Sequence, residues 1–233
     1  MKPATFDYHR PDTVEDAVGL LAEHGDGAKI LAGGQSLIPM LSMRLAYFDH
    51  LIDIARLREL QGIEHRGQEL WIGAGTTEAK VGADAQVRQA VPLLTRVTPF
   101  IGHFQIRNRG TLGGSIAHAD AAGEYPAVAL TLDATMEVLS PRGRREIAAA
   151  DFFTGVWETT MAPDEVLTGV RFPVWNDRSG SRCTSFRAAM AISRSPARWS
   201  RWRSTTMTGS RAARSACSVW APHRCALPRR RRP

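Results

Sequence analysis

Two pairs of adjacent glycines constrain the fold of this chain more than any other feature of its sequence. Gly33 and Gly34 follow an apolar stretch at residues 28 to 32, and Gly113 and Gly114 follow a basic stretch. Glycine has no Cβ, so it permits sharp turns and lets another backbone or a ligand approach closely. The sequence therefore predicts two tight loops, the first at the carboxyl end of a buried strand.

The polar groups around these glycines suit a diphosphate. Backbone N–H groups that glycine leaves accessible can bind phosphate oxygens, and Gln35, Ser36, Thr111 and Ser115 add side-chain donors. Neither segment has the G-x-G-x-x-G pattern of a Rossmann loop, and no P-loop lysine follows either one. The pattern therefore disfavours ordinary NAD and P-loop sites, and a pair of plain turns remains the alternative.

Residues 1 to 55 are predicted to form a small α/β unit. Thr13, with Asp16 three residues later, resembles a capping box and predicts the start of an amphipathic helix that ends near Gly25. A second, short helix is expected to follow the first glycine pair. The predicted strands are residues 5–9, 28–32 and 51–54.

Residues 56 to 178 are predicted to form a second unit, in which strands pair as hairpins instead of alternating strictly with helices. That organisation favours an antiparallel sheet, and the fold class predicted for the two units together is α+β. The predicted strands are 62–65, 69–73, 135–139, 144–148 and 166–172. The predicted helices are 76–82, 91–102 and 123–132.

Charge is divided unevenly along the chain. Residues 1–178 contain 17 Lys and Arg against all 23 Asp and Glu, whereas residues 179–233 contain 13 Arg and neither Lys nor an acidic residue. The formal net charge of +7 therefore comes entirely from the C-terminal tail. Arginine without lysine, together with Ala, Pro, Ser and Trp, is typical of GC-rich DNA translated out of frame, and we expect a frameshift near residues 180–187.

The tail also permits two functional interpretations, which are weaker. An arginine-rich arm with Trp199, Trp202 and Trp220 could bind nucleic acid through charge and base stacking. Cys217, His223 and Cys225 could ligate a metal, but a structural zinc site requires four ligands at regular spacing. The sequence therefore predicts neither nucleic-acid binding nor a metal site.

Three observations predict a cytoplasmic protein. All three cysteines lie in the tail, so residues 1–178 contain no disulfide framework. The first residues lack the pattern of a secretory signal. No apolar run approaches the roughly 20 residues that span a bilayer.

The sequences around both glycine pairs resemble the two FAD signatures of the medium subunit of the molybdenum hydroxylases, the family of carbon monoxide dehydrogenase medium chains and xanthine dehydrogenase FAD-binding subunits. The first is AGGQSLIP at residues 32–39, and the second is IRNRGTLGGSIAHAD at residues 106–120. The resemblance covers residues 1 to about 178. It implies the FAD-binding fold of the vanillyl-alcohol oxidase/PCMH type, with subdomains at residues 1–55 and 56–178 and an aberrant tail at 179–233.

By this resemblance, the diphosphate and ribitol of FAD would contact both segments. Asp120 and Glu124 match positions that address the flavin or the ribityl hydroxyls, although Asp120 could instead cap the helix predicted at 123–132. Arg107 and Arg109 are secondary candidates for a phosphate contact. No catalytic side chain and no metal ligand is expected, because the flavin carries the redox chemistry. The candidate cofactor-binding residues are Ala32, Gly33, Gly34, Gln35, Ser36, Thr111, Leu112, Gly113, Gly114, Ser115, Asp120 and Glu124.

The resemblance further implies an oxidoreductase subunit that transfers electrons. Electrons from a molybdopterin-containing large subunit would pass through 2Fe–2S clusters of a small subunit to FAD, and then to an external acceptor. The substrate would be determined by the large subunit. In this family a third subdomain covers the flavin and contacts the partner subunits, and the tail does not resemble it. The alternatives are a truncated, non-functional remnant of such a subunit and a nucleic-acid-binding protein.

Overall fold

The computed structural model describes residues 2–174 and the backbone of two short strands in the tail, Ser181–Ser185 and Thr205–Gly209. These two strands pair antiparallel with each other. The frameshift expected near residues 180–187 is not tested by the structure and stays a prediction. The nucleic-acid arm and the grouping of Cys217, His223 and Cys225 concern residues outside the described part of the chain, and they stay predictions as well. Among the described residues, no helix is both long and apolar enough to cross a membrane.

The first sheet is parallel and contains three strands in the order β1-β3-β2. Its elements follow the predicted pattern closely, and α1 begins where Thr13 accepts a hydrogen bond from Asp16 N–H at 3.0 Å. The apolar side of α1 packs on this sheet, and α2 follows the first glycine pair. The elements are β1 Asp7–His9, α1 Val14–His24, β2 Ala28–Leu31, α2 Leu37–Ser42 and β3 His50–Asp53.

The second sheet is antiparallel and contains five strands in the order β4-β5-β10-β6-β7. Both predicted hairpins are present, and the predicted last strand lies at the centre of the sheet. Its strands are β4 Ile63–Arg66, β5 Glu69–Gly73, β6 Thr135–Ser140, β7 Gly143–Ala148 and β10 Val166–Pro173. The strands β8 Phe153–Gly155 and β9 Glu158–Thr159 form a separate two-stranded sheet. The two tail strands above are β11 and β12.

Helices cover the second sheet and differ from the prediction in several places. The short helices Ala85–Ala90, Phe104–Arg107 and Ala149–Phe152 were not predicted. The helix predicted at 91–102 ends at Val97 and continues only as a 3-10 turn, because Pro99 has no N–H to donate and its ring obstructs the preceding turn. The second glycine pair lies in a helix, α7, and not in a loop. The helices are α3 Glu78–Ala83, α4 Ala85–Ala90, α5 Pro92–Val97, α6 Phe104–Arg107, α7 Leu112–His118, α8 Glu124–Thr131 and α9 Ala149–Phe152.

The cores of the two sheets meet. The larger cluster of buried side chains lies between the second sheet and its helices. The smaller cluster joins α1 and the first sheet to Leu60, Leu139 and Val166. The predicted boundary at residues 55 and 56 falls between the sheets, but it stays a prediction because this smaller core contains residues from both sides of it.

Candidate functional site

The first glycine segment turns away from the end of β2 in a conformation that leaves its amides available. Gly34 has a φ of 71°, in the left-handed region that favours glycine. The backbone N–H groups of residues 33 to 36 donate no hydrogen bond to any other residue in the described part of the chain. Successive free amides around such a turn form a concave site that binds anions.

The two glycine segments lie directly against each other, although about 80 residues separate them in the sequence. A Cβ added at Gly33 would collide with the carbonyl oxygen of Arg109 and would lie 2.7 Å from the Cα of Gly110. A Cβ added at Gly114 would lie 3.5 Å from the Cβ of Ala32. The predicted convergence of the two segments is therefore present, and Gly33 is required by the neighbouring backbone.

The backbone N–H groups of the second glycine pair already donate hydrogen bonds to other residues of the protein. Gly113 N–H donates to Ala74 C=O at 2.9 Å, and Leu112 N–H donates to Thr76 C=O at 3.0 Å. Thr111 is the N-cap of α7, and its hydroxyl oxygen accepts from Gly114 N–H at 2.9 Å. The expectation that both glycine pairs present amides to a ligand is wrong for the second pair, because these bonds anchor α7 to the sheet.

Replacing Thr111 with valine is expected to lower the free energy of unfolding by about 1 kcal/mol, because the side chain keeps its shape but leaves Gly114 N–H without an acceptor. Urea unfolding followed by circular dichroism measures the change. Thr111→Ser keeps the hydroxyl and is the matched control. Equal stability of the valine and serine variants would show that this cap contributes nothing.

Among the other residues predicted to contact FAD, some side chains are free and others form hydrogen bonds within the protein. The hydroxyls of Ser36 and Ser115 form no hydrogen bond in the described part of the chain, whereas the Gln35 amide donates to Gly33 C=O at 3.0 Å. Asp120 does not cap α8, since Gly123 occupies that position, and its carboxylate accepts instead from Ala122 N–H at 2.9 Å. The alternative for Asp120 is therefore wrong.

The residues that flank the site also have structural partners. Arg107 donates to Ile101 C=O at 2.8 Å, which ties α6 to the preceding turn. His118, at the end of α7, stacks on Trp157 with ring centroids 6.2 Å apart. Burial lowers the pKa of His118, and the nearby Asp120 carboxylate opposes that shift.

Glu78 lies beneath the second glycine segment and was not predicted from the sequence. Its side chain is buried, with only 4% of its surface exposed, and its carboxyl group would contact any Cβ placed on Gly110 at 2.8 Å. Oε2 has no hydrogen-bond partner in the described residues. Burial, assisted by the negative charge of Glu124, raises the pKa of Glu78 to about 7, although Arg107 lowers it. In sequence, Glu78 looks like an ordinary charge on a helix surface.

Together, the α+β fold and the amide-lined turn between its two sheets define a protein that binds a phosphate-bearing cofactor. Residues 4–175 match the family described as the FAD binding domain in molybdopterin dehydrogenase. The chain belongs to this family, which confirms the predicted family, fold class and cofactor.

Known proteins of this family align with most of the described region. The chain is 41% identical to the carbon monoxide dehydrogenase medium chain of Hydrogenophaga pseudoflava, over 77% of this chain and 63% of the relative. It is 42% identical to the 6-hydroxypseudooxynicotine dehydrogenase complex subunit alpha of Paenarthrobacter nicotinovorans, over 80% and 63%. The chain thus spans about three fifths of the length of these relatives.

Solved structures agree with the sequence relatives. Carbon monoxide dehydrogenase from Hydrogenophaga pseudoflava superposes with a TM-score of 0.79 at 39% identity, covering 81% of this chain and 66% of that chain. Quinoline 2-oxidoreductase from Pseudomonas putida 86 superposes with a TM-score of 0.76 at 38% identity, covering 80% and 65%. The order of helices and strands described above is therefore the fold of these proteins.

Proposed function

We propose that the chain is the FAD-carrying, electron-transferring subunit of a molybdenum-containing hydroxylase or dehydrogenase. The observation that carries this proposal is the row of free amides at residues 33 to 36, held against the second glycine segment. These amides fit a diphosphate, because their N–H groups can donate to phosphate oxygens and neither Gly33 nor Gly34 has a side chain that would block the approach. Family membership identifies the diphosphate as that of FAD.

The two segments have different roles in this proposal. Residues 32–36 bind the diphosphate through the backbone. Residues 111–115 form a wall beside it, with the Ser115 hydroxyl available to donate to the cofactor and Leu112 and Gly113 fixed in the protein interior. Asp120 and Glu124, in the segment after α7, are assigned to the ribityl or flavin hydrogen-bonding groups.

Bound FAD supplies a redox centre that accepts and releases electrons, while the polypeptide binds it, orients it and sets its surroundings. The partners in this proposal are a molybdopterin-containing large subunit and a small subunit with 2Fe–2S clusters, from which electrons reach FAD before an external acceptor takes them. Support comes from the relatives, which are named as subunits or medium chains of dehydrogenases. The substrate belongs to the large subunit.

Purification of the full chain in the presence of FAD tests the cofactor assignment. One equivalent of FAD per chain, measured by visible absorption after desalting, is expected. Co-expression with the two partner subunits then tests electron transfer, with reduction of a dye acceptor as the readout. A folded but colourless chain would favour the alternative of a non-functional remnant, and a yellow chain that fails to join the partners would restrict the proposal to cofactor binding.

A further inference from the structure

Three histidines from three different elements meet on the first sheet, away from the glycine segments. His9 lies in β1, His24 ends α1, and His50 begins β3. One ring nitrogen from each lies within 4.8 Å of the other two, and His9 Nε2 is 3.1 Å from His50 Nδ1. The rings of His24 and His50 are stacked with their centroids 3.8 Å apart. We call these residues the histidine cluster.

The strand register explains why the three side chains converge. Asp7 pairs with His50 across the parallel ladder, so the two side chains share a face, and His9 lies on that face because side chains alternate along a strand. Helix α1 packs over the same face, where Ile52 joins its buried side chains. The helix ends at His24, directly before the turn that leads to Ala28, which pairs with His50 from the other side. The cluster is therefore a product of the fold.

We propose that the histidine cluster binds one late transition-metal ion of the zinc class, with His9, His24 and His50 as the protein ligands. Neutral imidazole is a preferred ligand for zinc, copper and nickel. Two imidazole nitrogens bound to one tetrahedral zinc at about 2.0–2.1 Å lie roughly 3.3 Å apart, close to the 3.1 Å between His9 and His50. All three side chains are partly exposed, so His24 can turn towards an ion that arrives from solvent.

The electrostatic surroundings of the cluster favour a cation. The carboxylate of Asp7 lies 3.7 Å from His50 Nδ1 and can complete the coordination or accept a hydrogen bond from a bound water. The C-terminal end of the 11-residue helix α1 also points its partial negative charge at this position. Three imidazole ligands leave one position of a tetrahedral ion, which Asp7 or a water molecule can occupy.

This site does not depend on FAD. The histidine cluster lies near the amino-terminal end of β3, whereas the first glycine segment follows the carboxyl-terminal end of the neighbouring strand β2. Ala28, which pairs with His50, and Leu31, the last residue of β2, are three residues apart and therefore about 10 Å apart along the strand, from the rise of roughly 3.3 Å per residue. Loss of the metal site and loss of FAD are therefore separable outcomes.

Calorimetric titration of the full chain with zinc chloride tests the proposal. Cys183, Cys217 and Cys225 are replaced by serine in every sample, so that the thiols of the tail cannot bind the added ion. We expect one equivalent of zinc per chain, and we expect His24→Gln and His50→Gln each to weaken binding by about tenfold or more, since even the loss of a group behind a ligand costs that much. His65→Gln and His103→Gln change exposed histidines elsewhere and should bind zinc as the parent does.

A spectroscopic readout separates a metal ligand from a residue that only supports the fold. Cobalt added in place of zinc should give the visible absorption of a tetrahedral ion, and that absorption should disappear in His9→Gln, whose change lies on an edge strand and disturbs the core least. Circular dichroism of the metal-free variants should match that of the parent. Equal zinc binding by all the variants, or no saturable binding by the parent chain, would overturn the proposal.

Discussion

Valine in place of Gly33 is expected to abolish FAD retention by the full chain and to lower its free energy of unfolding by about 3 kcal/mol. The added side chain would occupy the space of the Arg109 carbonyl group and lie 2.7 Å from the Cα of Gly110. A backbone group cannot move aside as a flexible side chain can, so the two glycine segments must separate. Visible absorption of the desalted protein measures FAD content, and urea unfolding measures stability.

Two further variants show whether the loss of FAD follows from damage to the amide site at residues 33 to 36 or from general instability. Gly19→Ala adds a methyl group to an exposed site on α1 where nothing lies within 4 Å, and it should keep FAD and gain about 1 kcal/mol in stability. Gly34→Ala introduces strain of about 1–2 kcal/mol at a φ of 71° without a backbone collision, and it should weaken FAD binding while the chain stays folded. Full FAD content in both the Gly33 and the Gly34 variants would refute the assignment of residues 33 to 36 as the diphosphate site.

The second large effect is expected at Glu78, as a change in how stability depends on pH. The pKa of this carboxyl is raised by burial to about 7 in the folded state, from 4.5. Its contribution to stability is therefore fully present below about pH 4.5 and is lost as the pH rises through about 7, because the folded chain then bears a buried charge. The shift corresponds to at most about 3 kcal/mol.

Glu78→Gln removes this titration and nearly keeps the shape of the side chain. The variant should be more stable than the parent at pH 8, by up to about 3 kcal/mol, and the two should converge near pH 4.5. Denaturant unfolding at a series of pH values gives the comparison, with Glu15→Gln on the exposed face of α1 as the control. Parallel pH profiles for the parent and the Glu78 variant would contradict a raised pKa.

Local signals in the sequence were sufficient for most of the fold. The cap at Thr13, the two hairpins and the glycines after β2 each depend on neighbouring residues, and each of these features was predicted near its observed position. The helix α7 was missed because two glycines oppose helix formation. Tertiary contacts outweigh this low helix propensity. The backbone hydrogen bonds to Ala74 and Thr76 and the burial of Leu112 and Ile116 stabilise α7.

The candidate site was predictable in its location but less so in its chemistry. The pairing of two glycine segments suggested one shared ligand, and their contact agrees with that expectation. The sequence could not predict which backbone N–H groups are free to bind a ligand. This depends on whether the N–H groups of Leu112 and Gly113 donate to carbonyl groups of a turn that is distant in the sequence. The burial of Glu78 likewise depends on Gly110, which lies 32 positions away in the sequence, and no local pattern reports such a contact.

The smaller core has a consequence for the order in which the chain can fold during its synthesis. Val14 near the start of the chain shares that core with Leu139 and Val166. The first sheet therefore cannot exclude water from its own apolar face until residue 166 has left the ribosome, even though all three of its strands are made within the first 53 residues. During that interval α1 and the three strands expose apolar surface, and this is the stage of synthesis at which aggregation or chaperone binding competes with folding.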